Sequence, residues 1–127
     1  MEAKKTILIV EDESSLREAI VDILNRENLL TIEAKNGKEG VESAITKHPD
    51  LILLDLIMPE MDGMTAFRKI RADSWGKNVP VIILTNLSAT DERLVADMVK
   101  FKPLYYFVKS DWKIHDVMKK IKEFLKI

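Results

Sequence analysis

The chain has 127 residues, enough for one domain with a real core, and its 46% hydrophobic and 32% charged residues are those of an ordinary soluble globule. It contains no cysteine, which excludes disulfides, thiolate metal sites and cysteine nucleophiles, and its net charge of -1 gives no overall pull toward nucleic acid. The first apolar run ends after a few residues in Glu11-Asp12-Glu13, so it reads neither as a signal peptide nor as a membrane span, and a cytoplasmic location is expected.

Five strands alternate with five helices, without repeats or low-complexity stretches. The first strand is expected at about Thr6 to Val10. The helix after it opens on a Ser15-x-x-Glu18 capping box and turns Leu16, Ala19, Ile20, Ile23 and Leu24 inward. A weaker strand, Leu29 to Ala34, carries Thr31 and Glu33 and reads as a sheet edge. Asn36-Gly37 then turns the chain into a helix burying Val41, Ala44 and Ile45. Leu51 to Leu54 is the third strand, followed by a helix that starts near Asp62-Gly63 and buries Met64, Phe67 and Ile70. Val81 to Leu84 is the fourth, with a helix presenting Leu94, Val95, Met98 and Val99 to the core. Leu104 to Val108 is the fifth, and Ile114, Val117, Met118, Ile121 and Leu125 mark the last helix. Strands separated by helices imply right-handed crossovers and a parallel sheet covered on both faces. The expected fold is therefore α/β, a doubly wound flavodoxin-like sheet of order 2-1-3-4-5, with its switch point between strands one and three.

Charge is uneven along the chain. From Lys100 onward eight lysines stand against Asp111, Asp116 and Glu123, a local +5 that leaves -6 for the rest. A solvated face on an amphipathic last helix accounts for this, and a docking face for an acidic partner is the sharper reading.

Chemistry gathers where the apolar runs stop. Glu11-Asp12 ends the first, Asp55 the third, Thr85 the fourth and Lys109 the fifth. Open α/β sheets carry their chemistry beyond the carboxyl ends of the strands, so these side chains share one rim. Mg²⁺ takes octahedral oxygen ligands, usually one or two carboxylates with water and phosphate. Asp12 and Asp55 are the natural direct ligands, with Glu11 acting through water and the Ile57 backbone carbonyl as a further oxygen; Mn²⁺ can substitute. Acids after strands often merely cap the next helix, and Glu11 to Ser15 sits at such a place. The whole set at strand ends favours a site for a divalent cation and a phosphoryl group.

Leu53-Leu54-Asp55-Leu56-Ile57-Met58-Pro59-Glu60-Met61-Asp62-Gly63, Ile9-Val10-Glu11-Asp12 and Tyr106-Phe107-Val108-Lys109 together resemble the receiver domain of two-component response regulators, over nearly all of residues 1–127. The likeness is to single-domain, chemotaxis-type members. It implies that Asp55 accepts a phosphoryl group from a histidine kinase or phosphotransfer protein, with Mg²⁺ at Glu11, Asp12 and Asp55. Lys109 and the Thr85 hydroxyl would stabilise the phosphoryl group. It also implies that Thr85 and Tyr106 form a switch pair remodelling the face of the fourth helix, fifth strand and fifth helix. Such a domain is no enzyme beyond its own phosphorylation and dephosphorylation. Output would pass to a protein target on the Tyr106 face or along a phosphorelay, with a homodimer through that face possible and no nucleic-acid or membrane contact. A piece of a longer regulator would read the same.

Several positions depart from the family pattern. The family commonly has Lys-Pro where this chain has Lys109-Ser110, and a cis bond before serine would cost about 2.5–4 kcal/mol, so a trans bond is expected. Ser110 or Asp111 is expected to cap the last helix. Phe101-Lys102-Pro103 replaces the usual small pair and stiffens that loop. Asn86 follows Thr85 where a small residue is usual, and Ile57 and Leu87 lie two past Asp55 and Thr85. These three are expected to govern access and lifetime, the two apolar side chains keeping water off the acyl phosphate. His48 and His115 have no ligand spacing, and Trp75 and Trp112 read as packing residues. An aspartate-dependent phosphohydrolase would need an acid two residues after the nucleophile, where Ile57 stands. A receiver kept only as a binding module would not need all five site residues.

Overall fold

The computed structural model describes residues 4–58, 60–86, 92–110 and 113–127, without the side chains of residues 92 and 93. Its strands are β1 (Thr6–Val10), β2 (Leu30–Ala34), β3 (Leu51–Leu54), β4 (Val81–Thr85) and β5 (Tyr105–Val108). The helices α1 (Ser14–Arg26), α2 (Gly37–Lys47), α3 (Gly63–Ala72), α4 (Glu92–Phe101) and α5 (Ile114–Leu125) alternate with them. All pairings are parallel, in the order β2-β1-β3-β4-β5, as the alternation predicts. Continuous apolar runs make β1, β3 and β4 the buried centre. The outer strand β2 leaves Leu30 half exposed.

Because side chains alternate across a sheet, two cores form. Leu8, Val10, Ile52, Leu54, Val81 and Ile83 pack with Phe67, Ile70 and Leu94 on one face. Ile7, Ile9, Leu51, Leu53, Ile82 and Leu84 pack with Ile20, Leu24, Val117 and Ile121 on the other. Tyr106 joins the first layer, whereas Tyr105 and Phe107 join the second. Asn36 caps α2 by accepting from the Glu39 N–H at 2.9 Å, and Asp62 caps α3 by accepting from the Thr65 N–H at 2.9 Å.

Four expectations are corrected. The Ser15-x-x-Glu18 box does not form: α1 begins at Ser14, Glu13 is its N-cap, and Ser15 Oγ donates to Glu13 Oε1 at 3.2 Å. The cause is local, since Glu11 Oε2 holds the Glu13 N–H at 3.1 Å and starts the helix earlier. Of the residues expected inward on α1, Ile20 and Leu24 are buried and Leu16 and Ile23 pack partly buried against the core, but Ala19 is exposed and Arg17 is buried instead. On α4, Leu94 is buried, but Val95 and Val99 are 44% and 70% exposed, so its apolar surface is wider than the core it meets. Lys113, with no side-chain cap bond, precedes α5; Ser110 lies too far upstream to reach its first N–H groups, and Asp111 and Trp112 fall outside the described residues. No cis peptide bond occurs among the described residues, in accord with a trans Lys109-Ser110 bond. His48, exposed, ends α2 in the left-handed region and stacks on the half-buried Trp75, ring centroids 4.5 Å apart.

Candidate phosphoacceptor and cation site

The hydrogen-bonded ladder extends one residue beyond the strands and so fixes the acids at their ends. The Glu11 N–H donates to the Ala34 carbonyl at 3.0 Å, and the Asp55 N–H to the Val10 carbonyl at 3.1 Å. Across the sheet, the Lys109 N–H donates to the Thr85 carbonyl at 2.7 Å, tying the loop after β5 to the end of β4. Beneath Asp55 the chain doubles back closely. The Gly63 N–H donates to the Leu56 carbonyl at 2.9 Å, and a Cβ on Gly63 would sit 2.7 Å from the Asp55 carbonyl carbon.

Carboxylate oxygens of Glu11, Asp12 and Asp55 all lie within 4.8 Å of one another. Glu11 and Asp55 are buried and Asp12 is exposed. The Lys109 ammonium bridges the buried pair, 2.6 Å from Glu11 Oε1 and 3.1 Å from Asp55 Oδ2. The Ile57 N–H donates to Asp55 Oδ1 at 3.2 Å, so each oxygen of that carboxylate is held from a different side. An open cavity of about 390 Å³ lies over them, lined by Glu11, Asp12, Glu13, Asp55, Ile57, Asn86 and Lys109. These are hard oxygen donors beside space for ligand and water, a set that fits a small divalent cation.

Burial pushes the Glu11 carboxyl up to about 7, against the opposing pull of its bonds from Lys109 and the Glu13 N–H. Burial alone would lower the Lys109 ammonium, but its hydrogen bonds to Glu11 and Asp55 and their charge outweigh that and hold it above its ordinary value. Burial, with the Asp55 charge added, likewise raises the Tyr106 phenol.

Of the other residues singled out from sequence, Thr85 is fully buried beside Val108 in the β4–β5 register. Tyr106 is half-buried opposite Ile83, two residue pairs inward from that end. Ile57 is 55% exposed at the cavity edge and Asn86 is exposed beside it. Leu87 lies outside the described residues. Sequence reasoning missed two contributors. Arg17, buried, donates to the Glu11 carbonyl at 2.8 Å and to Glu33 Oε1 at 3.1 Å, clamping the acidic turn to the outer strand. Its signal was an arginine three and seven residues before Ile20 and Leu24 on the buried stripe. Glu13, which lines the cavity, carried no signal beyond adjacency to Asp12.

The family model for the response regulator receiver domain matches residues 7–122. A protein-glutamate methylesterase/protein-glutamine glutaminase of Archaeoglobus fulgidus is 35% identical over 112 residues, covering 87% of this chain and 31% of that protein. The chain spans about a third of the length of the curated relatives it matches. Among solved structures, the receiver domain of the sensor histidine kinase PA1611 from Pseudomonas aeruginosa, with a magnesium ion in its active-site cleft, is 27% identical with a TM-score of 0.83, covering 98% of this chain and 100% of that one. The signal receiver domain of a signal transduction histidine kinase from Syntrophus aciditrophicus is 33% identical with a TM-score of 0.82, covering 96% and 90%. Fold, acidic cluster and sequence thus agree: the chain belongs to the receiver domain family of two-component response regulators, a family of phosphoacceptor signalling domains. No helix among the described residues is long and apolar enough to cross a membrane.

Proposed function

We propose that Asp55 takes a phosphoryl group from the phosphohistidine of a histidine kinase or phosphotransfer protein, in a reaction that requires Mg²⁺, and that residues 1–127 act as one switching unit. The observation that carries this reading is the Asp55 carboxylate itself, buried, within 4.8 Å of two other carboxylates and 3.1 Å from Lys109. In the transfer, an Asp55 oxygen forms the new bond to phosphorus while the phosphorus–nitrogen bond breaks and its electron pair returns to the imidazole. A divalent cation held by Glu11, Asp12, Asp55 and the Ile57 carbonyl would supply positive charge for the phosphoryl oxygens; Mg²⁺ fits, and Mn²⁺ has the same oxygen preference. Lys109 exchanges its bond to Asp55 for one to the phosphoryl group, and the Thr85 hydroxyl donates another. The domain catalyses its own phosphorylation and dephosphorylation only. Asp55→Asn should take up no label from kinase or small phosphodonor, and undiminished labelling would remove Asp55 from this role.

The new charge reaches partners through α4, β5 and α5. Supporting this are apolar side chains left wholly or partly exposed on these elements, Val95 and Val99 on α4 and the half-buried Tyr106 on β5. Thr85 moving toward the phosphoryl group and Tyr106 turning inward would change that face, where a target protein or a second copy would dock. Tyr106→Ala should leave the labelling rate of Asp55 within about twofold while shrinking the amide chemical-shift changes that labelling produces in α4 and β5. Loss of labelling itself would contradict this division of roles.

Ile57, with Asn86 beside it and Leu87, should shield the acyl phosphate from water. An intact adduct lasting minutes to hours in Mg²⁺ is expected for the purified phosphoprotein, and decay within seconds would contradict the shielding role.

A further inference from the structure

A trough of about 450 Å³ opens at the end of the sheet opposite Asp55. Pro80 and Leu104, which precede β4 and β5, line it and place it beside the C-terminal ends of α4 and α5. Its floor includes Phe101 and Phe124, the latter 44% exposed. Arg71, Lys77, Lys100 and Lys102 surround that floor, and among the described residues no carboxylate lines the trough. The three lysines are exposed and enter no ion pair among the described residues.

A helix C-terminus ordinarily repels anions because its last carbonyls carry partial negative charge. Here Arg71 takes up the last carbonyl of α4 and those of the loop before β4. Its Nε donates to the Phe101 carbonyl at 2.8 Å, and its Nη1 donates to the carbonyls of Gly76 at 2.9 Å and Val79 at 2.6 Å. These bonds satisfy the guanidinium without cancelling its charge, because no acid takes part. The Lys100 ammonium lies 5.4 Å from the Phe101 ring centroid, so charge and apolar floor are adjacent.

We propose that this trough docks a short acidic segment of a partner protein, with an apolar side chain lodged on Phe101 and Phe124 and carboxylates on Lys77, Lys100 and Lys102. Charge complementarity selects that occupant. The trough is positive, with no carboxylate among its described lining residues, and its about 450 Å³ with two phenyl rings suits a short segment bearing acidic and apolar side chains better than an extended polyanion such as nucleic acid or an anionic bilayer. A short peptide touches the positive part alone. The site is remote from the phosphoacceptor and works whether or not Asp55 is modified.

The test uses fluorescence anisotropy of two labelled peptides of equal charge, one alternating Glu with Leu and one alternating Glu with Ser. The Glu–Leu peptide should bind the full chain and the Glu–Ser peptide about tenfold more weakly. The triple variant Lys77→Glu, Lys100→Glu, Lys102→Glu should lose about tenfold or more in affinity, and Lys38→Glu, Lys47→Glu, Lys119→Glu less than about twofold. Small-phosphodonor labelling of Asp55, unchanged in the trough variant, shows that it is folded. No binding to the wild type, equal losses in both triples, or equal binding of the two peptides would overturn the proposal. Binding to phosphatidylserine vesicles without peptide binding would assign the trough to a lipid surface instead. A sedimenting dimer that only the trough variant dissociates would assign it to a second copy.

Discussion

Gly63→Ala should cost the protein its site as well as its stability. The added Cβ would fall on the Asp55 carbonyl oxygen, 2.5 Å from Leu56 Cα and 2.7 Å from the Asp55 carbonyl carbon. All three obstacles are backbone, which cannot rotate aside as a side chain would, so either α3 or Asp55 must shift. Overpacking of this kind costs about 1–3 kcal/mol, and displacing a reacting group by about 1 Å can cost about 10²-fold in rate. The variant should therefore melt at lower denaturant and label about 10²-fold more slowly, even where it is fully folded. Gly76→Ala is the control: its Cβ meets the Ile70 carbonyl, also backbone but far from Asp55. It should lose stability and keep its labelling rate. Equal labelling of Gly63→Ala and wild type would show that the α3 start does not position Asp55.

Lys109→Ala should be the most destabilising change at the site, and its effect should depend on pH. Lys109 holds two carboxylates that are 3% and 5% exposed, and removing one partner of a buried ion pair costs about 3–5 kcal/mol. Glu11 titrates near 7 in the folded chain against an ordinary 4.5, so folding takes up a proton between those values. The stability that Glu11 contributes is thus full below 4.5 and lost as pH rises through about 7. Lys109, held above 10.5, contributes stability below that value and loses it only as pH rises through its higher folded value. The variant should therefore differ most from wild type above pH 7, where Glu11 is ionised and unpaired, and least near pH 5, where it is protonated. Excess Mg²⁺ at pH 8 should restore much of the loss by taking over the ammonium's role. Urea unfolding at both pH values checks this; a pH-independent difference would contradict the pairing.

The central strands were legible because burial on both faces leaves continuous apolar runs, and the acidic rim was legible because strand ends converge at a switch point. The unread parts depend on contacts distant in sequence or on choices between adjacent residues. Glu13, Ser14 and Ser15 are all reasonable places to begin α1, and the hydrogen bond from Glu13 N–H to Glu11 decides among them. Arg17 lies where an apolar residue is expected, and only the Glu11 carbonyl and Glu33 make its burial tolerable. On α4 the periodicity marks apolar positions but not how many of them the sheet can cover, and Val95 and Val99 exceed it. Arg71 gathers carbonyls from the loop before β4 and from the end of α4, a role no local pattern encodes.

Intact mass after incubation with a small phosphodonor tests the central claim most directly, using wild type with and without Mg²⁺ and Asp55→Asn with it. One added phosphoryl group only in wild type with Mg²⁺ is the expected result. An adduct on Asp55→Asn, or equal labelling of wild type when Mg²⁺ is chelated, would contradict the assignment of Asp55 and its acidic neighbours.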